Sequence, residues 1–338
     1  MNGYQRIQKA LKGEWPDIRP VMLHNFMMAA EEAGYSMKEF REDPEKAADA
    51  FIQSVEKYNL DGIMIDFDTT LMAGAIGVTV DYPQNEPARI PKGLLSSWEQ
   101  FEDLQEIDIA ANERVQIWLE TCRLIKAHFR DEVFVRGNCD QAPFSTASMV
   151  RGAQDWMLDL MDPAPEVIKL LDYCTGVSIQ FINLMTETGV DMVSNGDSPA
   201  GPEMISPEMF REFALPYEKK LVETAHAHNI PYVNHICGNT NLILEDMLAS
   251  GTDGLELDYK TDIRLILKYL GNTRLFIGNI DPSGVLALGT KQLVRKRTLE
   301  LLDIYKSSPR LVVNAGCAIP ANTPSENIRE MVETVHNY

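Results

Sequence analysis

The sequence lacks any run of about 18 apolar residues, so no membrane-spanning helix is expected from it. It also lacks a surplus of basic charge. Lys and Arg number 31 against 50 Asp and Glu, a net charge of −19. Phosphate backbones and anionic lipid surfaces need basic patches, so binding to nucleic acid or to a membrane surface is set aside. A small anion needs only one local Arg or Lys, so that class stays in play. Residues 1–13 are mixed and charged, with Arg6, Lys9 and Lys12, and carry no apolar core of the signal-peptide kind. The chain is read as cytoplasmic. Cysteine is scarce and odd in number, five in 338 residues. That argues against a disulfide framework and leaves thiols free for chemistry. No low-complexity linker divides the chain, and no Gly-rich phosphate loop follows any strand-like run.

What is present is an alternation. Short apolar runs at 20–23, 62–66, 132–136, 191–194, 230–235, 254–258, 274–280 and 310–314 are separated by amphipathic stretches, among them 44–58, 112–129, 165–188, 207–228 and 325–336. The runs are apolar on both faces, which suits a buried parallel sheet. About eight β–α units predict an α/β fold of the (β/α)8 barrel type, with a doubly wound sheet as the alternative. Residues 83–110 break the pattern and read as an irregular insertion inside one domain spanning 1–338.

In such a barrel the chemistry sits where strands end. Three soft ligands stand there: His235, Cys237 and Cys317. A His-x-Cys pair in extended chain projects both side chains to one side. Thiolate with imidazole suits zinc, and three protein ligands with an exchangeable fourth position describe a catalytic site. Asp258 is the preferred fourth ligand and Glu256 the alternative. Spacing alone leaves the plainer reading open, in which these cysteines are small buried hydrophobes. Asp68, Asn195, Asp197 and Asn279 are polar groups at strand ends, read as substrate-orienting or as turn and cap residues. His24 is a candidate acid–base. Asn234 and Asn239 flank the ligands as supporting groups. Cys122 and Cys174 read as core.

Several segments then resemble one family. RIQKALKGEWPDIRPV (6–21) is similar to the opening helix and first strand of the uroporphyrinogen decarboxylase superfamily. Gln141-Ala142-Pro143-Phe144 with Gly152, GDSPAG (196–201), ISPEMFREFALPYEKKL (205–221), GNIDP (278–282) and AIPANTPSENIREMVETVHNY (318–338) resemble its later motifs. The resemblance covers nearly the whole chain and implies a (β/α)8 barrel. The departures are as informative. The arginines that follow the first strand in the decarboxylases are absent from MLHNFMMAAEEAG (22–34). The family's active-site tyrosine falls at Ser148 or Met149, and a histidine is replaced by Cys317.

Those changes resemble the zinc-dependent corrinoid methyltransferase branch, which includes methylcobalamin:coenzyme M methyltransferases. The resemblance implies a zinc cofactor on His235, Cys237 and Cys317, and a corrinoid (cobalamin) carried by a partner protein. It also implies a small-molecule methyl donor or acceptor. The apolar segment His24, Asn25, Phe26, Met27, Met28 favours a methoxylated aromatic donor and O-demethylation. A thiol acceptor such as coenzyme M is the alternative, with Arg136 or Arg151 available to an anionic group. A metal-independent decarboxylase and a non-enzymatic zinc scaffold are the remaining readings.

Overall fold

A computed structural model describes residues 1–338. The eight strands are β1 (Met22–Leu23), β2 (Gly62–Ile65), β3 (Phe134–Gln141), β4 (Met192–Gly196), β5 (Tyr232–Ile236), β6 (Gly254–Leu257), β7 (Leu275–Ile280) and β8 (Leu311–Ala315). They pair in parallel in sequence order, and a parallel bridge from Val21 to Val313 joins the first to the last. This is the barrel that the alternation predicts, and each predicted run contains or overlaps its strand. Helices Pro44–Tyr58, Glu113–Phe129, Pro165–Thr186 and Ser325–His336 fall where their apolar periodicity puts them. The stretch 207–228 divides into Pro207–Phe213 and Leu215–Ala227. Pro216 stands in the first turn of the second helix, where its missing N–H is tolerated, and the break between the two helices falls at Ala214. Residues 83–110 hold only 3-10 turns, Trp98–Asp103 and Ile109–Ala111, and an Asp81–Arg89 bridge borders them.

Alternation along the strands sorts the lumen into two storeys. The lower one is an apolar plug of Met22, Phe134, Met192, Val233, Leu275, Ile277 and Val312, closed from below by Ile7 and Ala10 of the first helix, Gly3–Lys12. That helix lies so close that a Cβ on Gly62 would meet Ile7 Cδ1 at 2.6 Å. The upper storey is polar and fully packed. Arg136 Nη1 meets Glu256 Oε2 at 2.6 Å, both side chains being wholly buried. Arg136 Nε donates to Ser194 Oγ, Asn314 Nδ2 to Glu256 Oε1, and Asn138 Nδ2 to Asp66 Oδ1. His24 Nε2 lies 2.7 Å from Asp66 Oδ2.

Outside the barrel wall a second buried polar group lies under the helix Leu215–Ala227. Asp197 accepts from Ser145 N–H and Oγ–H at the start of the helix Pro143–Arg151. Glu218 lies beside it and beside Asn234. Burial, reinforced by the Asp197 charge, pushes Glu218 up to about 8, and burial pushes Asp197 up to about 7.

Two expectations follow. Glu256→Gln leaves the Arg136 charge buried without its partner and is expected to lower unfolding free energy by about 3–5 kcal/mol. Chemical denaturation measures this, and a double change of both residues to leucine should recover much of the loss. The second concerns pH. A glutamate ionises near pH ~4.3 in an unfolded chain, whereas folded Glu218 holds its proton to about 8. The stability it contributes is therefore complete at acid pH and is lost as pH rises toward 8. Thermal midpoints at pH 5 and pH 8 should show that fall in the wild type and a flatter profile in Glu218→Gln.

Candidate metal centre

The parallel register sets His235 of β5 opposite Glu256 of β6. His235 Nδ1 lies 3.0 Å from the Glu256 carbonyl. A carbonyl only accepts, so Nδ1 carries a proton whatever the charge of the ring. Nε2 is then the nitrogen turned toward Cys237 Sγ, at 3.0 Å. Cys237 follows β5, and its N–H donates to Ser198 Oγ. The next residue, Gly238, has φ +83°, a left-handed conformation that glycine takes without strain. Its N–H donates to Asp258 Oδ2. Cys317 arrives behind β8, and its Sγ lies 3.2 Å from that of Cys237. The three donor atoms all fall within 4.8 Å of one another. Sequence positions 80 residues apart are thus joined at one point.

The three groups share their protons unequally. The hydrogen bond from Cys317, working with the His235 charge against burial, holds the Cys237 thiol down to about 3. The same bond, together with burial, pushes Cys317 well up. Burial lowers the His235 imidazole, but the Cys237 sulfur and Glu256 outweigh it and push it up to about 10. A thiolate facing an imidazolium, beside a second thiol, is a set that a divalent cation converts to three ligands by displacing two mobile protons. One nitrogen and two sulfurs at this spacing, with the distal ring N–H anchored on a carbonyl, match the donor chemistry of zinc.

Neither carboxylate expected as the fourth ligand stands in the three-donor group. Asp258 lies outside the three-donor group, because both its oxygens are engaged by backbone: Oδ2 by Gly238 N–H and Oδ1 by Lys260 N–H. Glu256 turns its carboxylate the other way, into the lumen, onto Arg136 and Asn314. Burial raises that carboxyl, yet Arg136 and the two histidines outweigh it and hold it below its ordinary value. The donor atoms brought together are therefore those of His235, Cys237 and Cys317.

Other expected site residues divide. His24 faces the lumen, with Nδ1 unpartnered and 3.8 Å from Glu256 Oε1. Its backbone N–H donates to Asn314 and its carbonyl accepts from Ile319, which ties it to the Cys317 loop. Asn279 is half-buried and donates to the Asp258 carbonyl. Asp68 is buried and accepts from Thr70, closing the turn after β2, with Arg41 Nε at 3.5 Å. Asn195 and Asp197 point away from the mouth. Asn195 is fully buried between Tyr232 Oη and the Cys139 carbonyl. Phe26 is not an open wall: it packs in the main core and stacks on His24 at 5.8 Å. Met27 is half-buried at the edge of that core. Arg136 and Arg151 are not free for an anion, since Arg151 is paired with Asp155 and Asp159. Sequence reasoning missed the orienting role of the Glu256 carbonyl and of Ser198. Only the GDSPAG block hinted at the latter.

The uroporphyrinogen decarboxylase (URO-D) family profile matches residues 3–338. A methylcobamide:CoM methyltransferase, MtbA of Methanosarcina acetivorans, is 29% identical over 341 aligned positions, covering 99% of this chain and 97% of that protein. Another, MtaA of Methanosarcina barkeri, is 25% identical over 98% and 97% of the two chains. The uroporphyrinogen decarboxylase of Geobacter sulfurreducens is 25% identical over 87% of this chain and 85% of its own. The solved structure of a methyltransferase from Methanosarcina mazei superposes with a TM-score of 0.90 over 100% and 99% of the two chains at 24% identity, which shows a shared fold.

Protein purified without chelator is expected to hold about one zinc per chain. Cys317→Ser should lose it while keeping wild-type circular dichroism. Elemental analysis of both proteins reads the result directly.

Proposed function

The chain belongs to the uroporphyrinogen decarboxylase family, and from that premise we propose that it is a zinc-dependent corrinoid methyltransferase. It moves a methyl group between the cobalt of a corrinoid, carried on a separate protein, and a small-molecule partner. The observation that carries this reading is the meeting of His235 Nε2, Cys237 Sγ and Cys317 Sγ within 4.8 Å at the barrel mouth. The full-length relatives with that activity support it. Retained decarboxylase chemistry has less support. Its substrate is clamped by arginines, whereas here the segment after β1 has none, and Arg136 and Arg151 are held by acids.

Of the two directions, transfer from methyl-cobalt to a thiol has the better support. His235, Cys237 and Cys317 would hold the zinc, which would lower the pKa of a bound thiol while leaving its sulfur nucleophilic. The thiol sulfur forms the new S–CH3 bond, the Co–C bond breaks with its electron pair left on cobalt, and Co(III) becomes Co(I). The chain's own residues prepare that event. Glu256 fixes the tautomer and plane of His235. Ser198 and Asp258 fix the backbone that presents Cys237. His24, with Nε2–H on Asp66, offers Nδ1 as the acceptor for the thiol proton. The methylcobamide:CoM methyltransferases among the relatives carry out transfer of the corrinoid-to-thiol kind. O-demethylation of a methoxylated aromatic is the second reading, and burial of Phe26 in the core removes the apolar wall that favoured it.

Anoxic mixtures with free methylcobalamin separate the two. With 2-mercaptoethanol or 2-mercaptoethanesulfonate, the absorbance should change from methylcobalamin to cob(I)alamin. The change should vanish in Cys317→Ser and return to the wild type when a chelated sample is reloaded with zinc. Methyl loss from methoxyarenes to cob(I)alamin, with no reaction of thiols, would reverse the direction. Equal activity with zinc removed would sink the metal-dependent reading.

A further inference from the structure

The polar group behind the barrel wall has more oxygen than the protein satisfies. Asp197, Glu218 and Asn234 are all fully buried. Asp197 follows β4, Asn234 lies in β5, and Glu218 stands in the first turn of the helix Leu215–Ala227. Asn234 precedes His235, so alternation along the strand turns it away from the lumen and toward the helix layer. Its amide faces the Glu218 carboxylate, which also feels the charge of Asp197. Five polar atoms at this junction complete no hydrogen bond: Asp197 Oδ2, Glu218 Oε1 and Oε2, and Asn234 Oδ1 and Nδ2. Ser145 serves only the other oxygen of Asp197. No Lys, Arg or His charge acts on either carboxylate.

Buried polar atoms are nearly always partnered, and a cluster of unpartnered ones calls for an ion or water between them. Asn234 is decisive here, since a neutral amide has no charge to explain its place against Glu218. The oxygens are those that a hard cation takes, two carboxylates and an amide carbonyl, with no sulfur or imidazole among them. Two carboxylates match a divalent charge. Magnesium keeps several waters, which a fully buried site does not favour. Calcium takes more protein oxygens and accepts a carboxylate through both of its own.

We propose that Asp197 Oδ2, Glu218 Oε1 and Oε2, and Asn234 Oδ1 form a second metal site, for one calcium ion, which ties the helix Leu215–Ala227 to the wall of β4 and β5. With the ion bound both carboxylates are ionised, so the pH profile expected above belongs to the cation-free chain. The site stands directly behind the three-donor group. Asp197 N–H donates to the His235 carbonyl, and the next residue, Ser198, accepts from Cys237 N–H. Its oxygen donors and the sulfur and nitrogen donors in front select different metals.

Wild type and Glu218→Gln are stripped with chelator, desalted and reloaded with one equivalent of zinc. At pH 8 each is dialysed against radioactive calcium, and thermal midpoints are read with and without millimolar calcium or magnesium. Weak binding to the acidic surface is common to both proteins and cancels in the difference. Wild type is expected to hold one calcium per chain more than Glu218→Gln. Its midpoint should rise by at least about 3 °C with calcium and by less with magnesium, and the variant should lose the calcium-specific rise. Equal calcium binding and equal shifts in the two proteins overturn the site. A larger effect of magnesium in wild type overturns the calcium assignment. Circular dichroism checks the fold of the variant, and Asp197→Asn supplies the same comparison if Glu218→Gln does not fold. Wild type that holds less than one calcium per chain overturns the proposal without either variant.

Discussion

The hydrogen bond from His235 Nδ1–H to the Glu256 carbonyl, 3.0 Å long, is the contact on which the centre depends. It exists because β5 and β6 pair in the one register that sets these residues side by side. A shift by one residue would turn His235 to the outer face, since side chains alternate with period two. The bond settles which ring nitrogen faces the sulfurs. It also divides Glu256 into two functions: its carbonyl orients the ligand, and its carboxylate anchors the polar storey through Arg136 and Asn314. Movement of one residue would disturb both.

That polar storey is an expensive construction. A fully buried arginine–glutamate pair gains little over a well-packed apolar pair, because desolvation offsets most of its attraction. What it supplies is a fixed ceiling over the apolar plug. Asp66, Asn138, Ser194 and Asn314 each hold a neighbour by a hydrogen bond, so His24 and His235 stand on a floor whose rotamers are set. That floor holds His235 in place beside the sulfurs of Cys237 and Cys317.

The fold was legible in the sequence because its signals are local. Apolar runs bounded by amphipathic stretches give eight parallel strands, and Asn59 or Gly13 in left-handed geometry end their helices as local rules require. The meeting of His235, Cys237 and Cys317 was legible from residue type and strand position, with the resemblance supplying the link between Cys237 and Cys317. What was not legible depends on direction. Asn195 and Asp197 sit at a strand end like His235, yet they face the helix layer, where Tyr232 and Ser145 hold them. Asp258 has the chemistry of a ligand and the position of one, but the left-handed turn at Gly238 presents an N–H that claims its carboxylate. Phe26 looks like a pocket wall in sequence, and burial in the core makes it a support for His24. In each case the deciding fact is a partner distant in sequence.

The donor set also constrains what the open position can do. Two sulfurs donate strongly, and with a neutral imidazole they cancel the double charge of zinc, so a carboxylate in the fourth place would leave the site net negative and a poor host for another anion. By holding Asp258 on the backbone and Glu256 on Arg136, the fold keeps both carboxylates off the metal position. The open place is then neutral rather than negative, which suits an incoming thiolate. Under the proposed reading, the same two engagements favour sulfur as the nucleophile. The loop that carries Cys317 leans on Tyr259, so the placement of that sulfur is tied to the connection after β6.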